Sequence, residues 1–268
     1  MWQQLAEIHA FASNHWSYWA FAIGFFMWLL YLLVTGPFRH WFADSKAPST
    51  SQQLYMTLGM LTYFLAFASP LDYISDRFLF SAHMVQHMLE VSVMVPLLLM
   101  ALPNWLWTWA FSWGPFKKAF GALVNPFVAL ILFMMVFDNF HWPVLYDLTL
   151  TNQAFHVTEH LLFFFTATFL WWPALSSHPS YPRIAQHGLR ILYLFVAFDV
   201  MMPPAILILM WNHPLYYPYT KAPVRLFGLS PVSDQQFGSV IMLIFGAISN
   251  GIAAIGAFRH WEWNQWYE

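Results

Sequence analysis

The segment FLFSAHMVQHMLEVSVMVPLLLMA, residues 78–101, decides the fold class of this chain. Its only ionisable side chains are two histidines and one glutamate, and most of the remaining residues are apolar. A helix of roughly 20 apolar residues is long enough to cross the hydrocarbon core of a bilayer. The segment therefore predicts a membrane-spanning helix that carries polar groups which are costly at such a position.

The rest of the chain has the same apolar character. Of its 268 residues, 60% are hydrophobic and only 8% are charged, and the mean hydropathy is +0.53. Soluble domains carry about 25% charged residues, so we expect an integral membrane protein. Apolar windows predict an all-α bundle of seven transmembrane helices in one domain, 1–268. The predicted spans lie near residues 16–35, 52–69, 78–101, 126–142, 153–173, 189–211 and 235–257.

The basic residues are divided unevenly between alternate connectors. One side has seven of them, Arg39, Lys46, Lys117, Lys118, Arg183, Arg190 and Arg259. The other side has three, Arg77, Lys221 and Arg225. The positive-inside rule then places the N-terminus outside and the C-terminus in the cytoplasm. The stretch before Trp16 lacks Lys and Arg, so we expect the first span to be retained and not cleaved as a signal peptide.

Composition also excludes several classes of site. A net charge of -2 provides no basic surface for nucleic acid, so we expect no nucleic-acid partner. The absence of cysteine excludes disulfides, iron–sulfur clusters and thiolate metal sites. Histidine, methionine and carboxylates remain as metal ligands. Four tryptophans within 105–113, followed by two lysines, predict an amphipathic segment at the cytoplasmic interface.

Two His-x-x-x-His pairs, His83 with His87 and His156 with His160, are the strongest candidates for a site. Residues four apart share one face of a helix, and both pairs lie near the outer ends of spans that run in the same direction. Imidazole suits copper and zinc. The pairs could supply four ligands to one metal or form two separate sites, with Glu159 beside the second pair. Alternatively, each histidine could hydrogen-bond within the bundle.

Further polar residues within the spans are secondary candidates. Glu90 continues the face of the first pair one turn deeper, and Asp138 could orient the imidazole of His141. Near the middle of span six, Asp199 lies four residues before the pair Pro203-Pro204, and Met202 lies directly before it. Asp234 opens span seven, where it could act as a metal-site residue or simply as a helix N-cap. The aromatic, proline-rich connector 211–219 predicts a rigid cap on the outer side.

The ordered motifs resemble the multi-spanning CtaG family of cytochrome c oxidase assembly factors. These motifs are SAHMVQHML at 81–89, HVTEHLLFF at 156–164 with WWP at 171–173, LYYPY at 215–219 and SDQQFGSVIM at 233–242. The positions that match the polar motifs of the family are His83, His87, His156, Glu159, His160, Asp234 and Gln235. Two residues depart from the family pattern: Glu90, where an apolar residue is expected, and Leu243, where Trp is expected.

The resemblance implies a multi-pass protein of the bacterial plasma membrane that is not an enzyme and that assists the maturation of a haem–copper oxidase. It implies copper as the bound metal, oxidase subunits as partners and a soluble copper donor on the outer side. Such oxidases hold their copper toward that side, so an outward-facing histidine cluster is suitably placed.

Two other functions remain open from the residues alone. Paired histidines on neighbouring helices also hold bis-His haem in b-type membrane cytochromes, although the bulky run Phe163, Phe164 and Phe165 leaves little obvious space. A copper or proton transporter is the other alternative, with Glu90, Asp138 and Asp199 as a relay through the bundle.

Overall fold

A computed structural model describes residues 15–181 and 183–267, with side chains through Arg259. The described residues form helices and connecting loops, with no strand among them. The principal helices are α1 (Tyr18–Thr35), α2 (Thr50–Ala68), α3 (Pro70–Arg77), α4 (Phe80–Ala101), α5 (Asn104–Ala110), α6 (Gly114–Leu123), α7 (Pro126–Phe140), α8 (Pro143–Thr151), α9 (Gln153–Leu175), α10 (His187–Met210), α11 (Tyr217–Thr220) and α12 (Pro231–Tyr267). Short 3₁₀ turns occupy Pro37–Trp41 and Leu226–Gly228.

Six of the seven predicted segments coincide with a helix to within a few residues, and the seventh, 235–257, lies inside the longer helix α12 (Pro231–Tyr267). Four helices, α1, α4, α10 and α12, are individually long and apolar enough to cross a membrane. Two bent pairs would raise the number to six: α2 with α3, bent by 45°, and α6 with α7, bent by 75°. The 23-residue α9 is not in this set because its first half is polar. The chain is therefore an all-helical membrane protein.

The helix boundaries follow from local chemistry. The Ser49 side chain accepts from the backbone of Gln52, whose side chain reaches back to form a capping box at the start of α2. Asn125 and Asn152 cap α7 and α9 in a similar way through their side-chain oxygens. Proline begins α3, as it does three other helices, because its missing N–H is not needed in the first turn.

The main core lies where α4, α7, α9, α10 and α12 meet. Its fully buried members include Met84, Phe133, Phe163 and Leu194. By contrast, α1 is largely exposed and rests on α2 through a hydrogen bond from the Tyr63 hydroxyl to the Ala20 carbonyl. Its outward-facing apolar side chains suit contact with lipid tails, which are as apolar as the side chains themselves.

Two sequence expectations change in the folded chain. The connector predicted between spans two and three is itself helix α3. In the tryptophan-rich segment, Trp109 and Trp113 are exposed as an interfacial anchor requires, but Trp105 is buried and donates to the Lys46 carbonyl at 3.0 Å. The expectations for residues 1–14, including a retained and external N-terminus, lie outside the described residues.

Candidate metal centre

Four predicted ligands meet between α4 and α9 at one end of the bundle. The candidate ligand atoms of His83, His156, Glu159 and His160 all lie within 4.8 Å of one another. His156 Nε2 and His160 Nε2 are 2.9 Å apart, and His83 Nε2 lies 3.8 Å from a Glu159 oxygen. One histidine of the first pair and both histidines of the second therefore face one shared centre with Glu159, and these four residues form what we call the metal cluster.

Burial without hydrogen bonds makes this cluster unusual. Both ring nitrogens of His83 and both carboxyl oxygens of Glu159 are buried and have no hydrogen-bond partner of normal geometry. An unsatisfied buried polar group costs about 1–3 kcal/mol, so native structures rarely keep several together. A cation bound among these atoms would satisfy them at once. The donor set of three imidazoles and one carboxylate therefore fits a metal ion better than hydrogen bonding within the bundle.

His87 lies beside the metal cluster and not within it. Its Nε2 is 3.7 Å from the second oxygen of Glu159, and its ring packs edge-on against Phe163 at 4.7 Å between centroids. Both of its ring nitrogens are also buried without hydrogen-bond partners. His87 is thus a neighbour of the cluster through Glu159, but it is not one of the four residues whose ligand atoms converge within 4.8 Å.

Glu90 orients one of the candidate ligands. Its carboxylate lies 2.7 Å from His160 Nδ1, a bond that joins α4 to α9. In the tautomer that carries the proton on Nδ1, His160 donates this bond to the Glu90 carboxyl group. This leaves His160 Nε2 as the nitrogen that faces the cluster, as is usual for metal-ligating histidines with a carboxylate behind them.

Helix α3 brings in two carboxylates that the sequence analysis missed. Asp76 Oδ1 lies 3.5 Å from His156 Nε2 and 4.0 Å from His83 Nδ1. Its side chain is 26% exposed, whereas those of His83 and Glu159 are fully buried, so Asp76 connects the cluster to its surroundings. Asp72 is held next to it by a 2.7 Å bond from Gln86 Nε2. The signal for a polar helix face was available in the sequence. Ser69-Pro70 is a typical helix start, and the two aspartates that follow are four residues apart.

Buried tyrosines from α8 and from connector 211–219 support the cluster. Tyr219 donates to the Ser75 carbonyl at 2.6 Å and pairs with the hydroxyl of Tyr146, whose ring lies 5.2 Å from that of His83. Tyr216 donates to the His141 carbonyl at 2.9 Å. Burial raises the pKa of Tyr216 and of Tyr219 far above the usual value, so both hydroxyls stay protonated as donors. Within connector 211–219 only Tyr216 and Tyr219 are buried, whereas Trp211, His213 and Tyr217 are exposed. The rigid cap expected there stays a prediction.

A family model now gives the arrangement its context. The model of the cytochrome c oxidase caa3 assembly factors matches residues 29–262, which is most of the chain and includes every residue of the metal cluster. The chain belongs to this family. The predicted resemblance is confirmed. No curated protein and no solved structure matches the chain. An assembly factor acts on an oxidase, so membership implies an oxidase partner and suggests a role other than catalysis.

Two polar motif residues of this caa3 assembly factor family serve structure in this chain. Asp234 accepts from the backbone N–H groups of Phe80 and Ser81 at 2.7 and 3.1 Å, and so caps α4. It does not cap its own helix, where the Ser230 hydroxyl accepts from the Ser233 N–H. The side-chain amide of Gln235 donates to backbone carbonyls of connector 211–219, for example to that of His213 at 2.9 Å. Both residues fix the elements that carry or cover the metal cluster.

The remaining candidates are not joined to the cluster by any contact among the described residues. The ring of His141 lies 6.1 Å from that of His87, but its Nδ1 pairs with the Phe137 carbonyl at 2.6 Å, not with Asp138. The carbonyl is one helical turn back and already aligned, so it takes the place predicted for the carboxylate. Asp199 and Met202 flank the break within α10, in a different part of the bundle.

Proposed function

We propose that this assembly factor binds one copper ion at the metal cluster, as cargo, and supplies it to a haem–copper cytochrome c oxidase at the outer face of the bacterial plasma membrane. The single observation that carries the proposal is the convergence of buried, unpartnered imidazole and carboxylate atoms from α4 and α9. Membership of an oxidase assembly family supplies the recipient. Copper is the metal that a haem–copper oxidase must receive.

The donor chemistry agrees with a copper cargo. The chain has no cysteine, and the four residues of the cluster offer imidazole and carboxylate atoms as ligands. Imidazole binds copper and zinc well, and at a given site copper binds more tightly than the other divalent metals of its row. Asp76, partly exposed at the edge of the cluster, offers a first point of contact for an ion that arrives from outside or leaves. A soluble copper donor on that side would complete the route.

Seven spans with an outward cluster are part of the proposal. The first half of α9 is polar, so the helix as a whole is less apolar than the four long helices. That half is covered by α3 and α4, whose side chains meet it at the metal cluster. Counting α9 with the four long helices and the two bent pairs gives seven crossings. The seven-to-three division of Lys and Arg then directs the cluster outward.

A haem site is less consistent with the geometry. Bis-His haem requires two imidazoles that face each other across a gap wide enough for the macrocycle. Here the ring centroids of His83 and His156, on different helices, are only 5.7 Å apart, and those of His87 and His160 only 5.0 Å apart. Phe163 and Tyr146 close the space around them. The imidazoles contact one another directly, which suits a single ion.

A transporter is also less consistent with the geometry. Below Glu90 the centre of the bundle is filled by apolar side chains, among them Val91, Met94, Phe133 and Leu170. Among the described side chains, the carboxyl group of Glu90 bonds His160, and no hydrogen bond leads from it toward Asp138 or Asp199. A site that loads and unloads from one face agrees with this arrangement.

Elemental analysis of the purified protein tests the proposal. We expect about one copper per chain after loading, consistent with one cluster of four ligands, and transfer of that copper to the isolated copper-free oxidase. In cells, loss of the protein should yield an oxidase that lacks copper, and a His83→Ala variant should not restore it. Zinc alone in the purified protein, or a stoichiometric haem Soret band, would overturn the assignment.

Glu90 should tune the affinity of the site without being a ligand. A Glu90→Gln variant keeps an acceptor for His160 Nδ1 and should bind copper about tenfold more weakly, whereas Glu90→Leu should lose about 100-fold because the imidazole is no longer oriented. Competition with a chelator of known affinity measures both values. The matched control is Asp138→Asn, a carboxylate change away from the cluster. Unchanged affinity in Glu90→Leu would refute the orienting role.

A further inference from the structure

A large cavity lies at the end of the bundle opposite to the metal cluster. It has a volume of about 710 Å³, is open on one side and is lined by the C-terminal halves of α4 and α9 together with α10, α12 and Tyr55 of α2. Its walls are mainly apolar and include Leu97, Trp171, Phe245 and Ile252. Sites for small molecules have volumes of about 300–1,000 Å³ and similar linings, so the cavity can accommodate a ligand or part of a lipid.

Two arginines line the same cavity. Arg190 is 4% exposed, and its Nε is buried without a hydrogen-bond partner. Arg183 lines the cavity as well, and neither guanidinium has a carboxylate within 4.0 Å among the described side chains. A buried cation without an anion is strongly unfavourable. The hydroxyl of Ser92, also on the cavity wall, is a further buried group without a partner.

The combination specifies an amphiphile. Apolar walls suit an acyl chain, and two neighbouring guanidinium groups suit a phosphate, which arginine binds through paired N–H donors. We propose that this cavity is a binding site for an acidic phospholipid, with the phosphate at Arg190 and Arg183 and an acyl chain along α4 and α12. Basic pockets between membrane helices on the cytoplasmic side bind acidic lipid head groups in this manner.

The location agrees with the source of such a lipid. Arg183 and Arg190 belong to the majority side of the Lys and Arg distribution, which the positive-inside rule assigns to the cytoplasm. Acidic lipids of the cytoplasmic leaflet are available there. The inference uses neither the metal cluster nor copper, so it can fail while the proposed function holds.

Lipid binding by the intact protein in detergent provides the test. The probe is phosphatidylglycerol, compared with phosphatidylcholine and with glycerophosphoglycerol, the same head group without acyl chains. We expect saturable binding of phosphatidylglycerol and about fivefold weaker binding after Arg190→Gln or Arg183→Gln, since each basic residue contributes roughly 1 kcal/mol. Lys118→Gln, an exposed basic residue outside the cavity, is the matched control and should not change the affinity.

Each outcome decides the proposal. Equal affinity for phosphatidylcholine, or unchanged affinity in both arginine variants, would overturn it. Equal binding of glycerophosphoglycerol would show a simple phosphate site that does not use the apolar walls, which also contradicts a lipid. If Arg190→Gln does not elute as a folded monodisperse protein, Arg183→Gln and an Ala253→Phe variant, which fills the cavity, give the same decision.

Discussion

Replacing His83 by alanine is expected to weaken copper binding at least about 100-fold, whereas His87→Ala should weaken it less than about tenfold. The two residues are four apart on α4, are both fully buried and both lack hydrogen-bond partners, so the substitutions remove equal volume from matched surroundings. Only His83 belongs to the group whose ligand atoms converge within 4.8 Å. Copper stoichiometry together with chelator competition measures the difference.

His156→Ala and His160→Ala should match His83→Ala, because each also removes one of the three imidazoles of the cluster. The control is His213, an exposed histidine in connector 211–219, and His213→Ala should keep full copper content. Equal losses in His83→Ala and His87→Ala would mean that the bound state recruits both members of the first pair. Full copper content in all three cluster variants, His83→Ala, His156→Ala and His160→Ala, would show that the metal lies elsewhere.

An Asp234→Leu variant is expected to lose roughly 3 kcal/mol of stability, because two charge-assisted hydrogen bonds to buried N–H groups disappear together. The residue at the N-cap position of α4, Leu79, cannot replace them. His83 follows within one helical turn, so copper binding should weaken as well. Thermal unfolding in detergent and a copper titration measure the two effects.

Asp234→Asn should be intermediate, since its single carbonyl oxygen can accept one of the two N–H groups. Ser230→Ala removes the cap of α12 itself and should cost only about 1 kcal/mol, with copper binding unchanged. A loss in Ser230→Ala as large as in Asp234→Leu would show that the start of α12, and not the start of α4, governs the site.

Local sequence patterns predicted the helices and much of the site. The apolar windows located each long helix, and the spacing of four within the His pairs placed His83, His156 and His160 on faces that do meet. This succeeded because helix periodicity depends only on neighbouring residues, and because buried polar groups in an apolar chain must face one another.

What the sequence could not predict depends on contacts between distant segments. Asp234 caps a helix about 150 residues earlier in the chain, and no local pattern distinguishes this from capping its own helix. The segment after Ser69 was interpreted as a connector because it is short and polar, so Asp76 was missed. The exclusion of His87 from the cluster depends on the rotation of α4 against α9, which is a tertiary property.

The face that α4 turns toward its neighbours changes at Glu90–Met94, a π-helical segment between the two α-helical parts of the helix. The wider turn accommodates one additional residue, which corresponds to a phase change of about 100° in an α-helix. Above it α4 presents His83 to α9, and below it Pro96 and Leu97 line the cavity. The freed Val91 carbonyl accepts the indole N–H of Trp171 at 2.7 Å, which locks the step. One inserted residue thus lets a single helix contribute to the metal cluster on one side of the step and to the apolar cavity on the other.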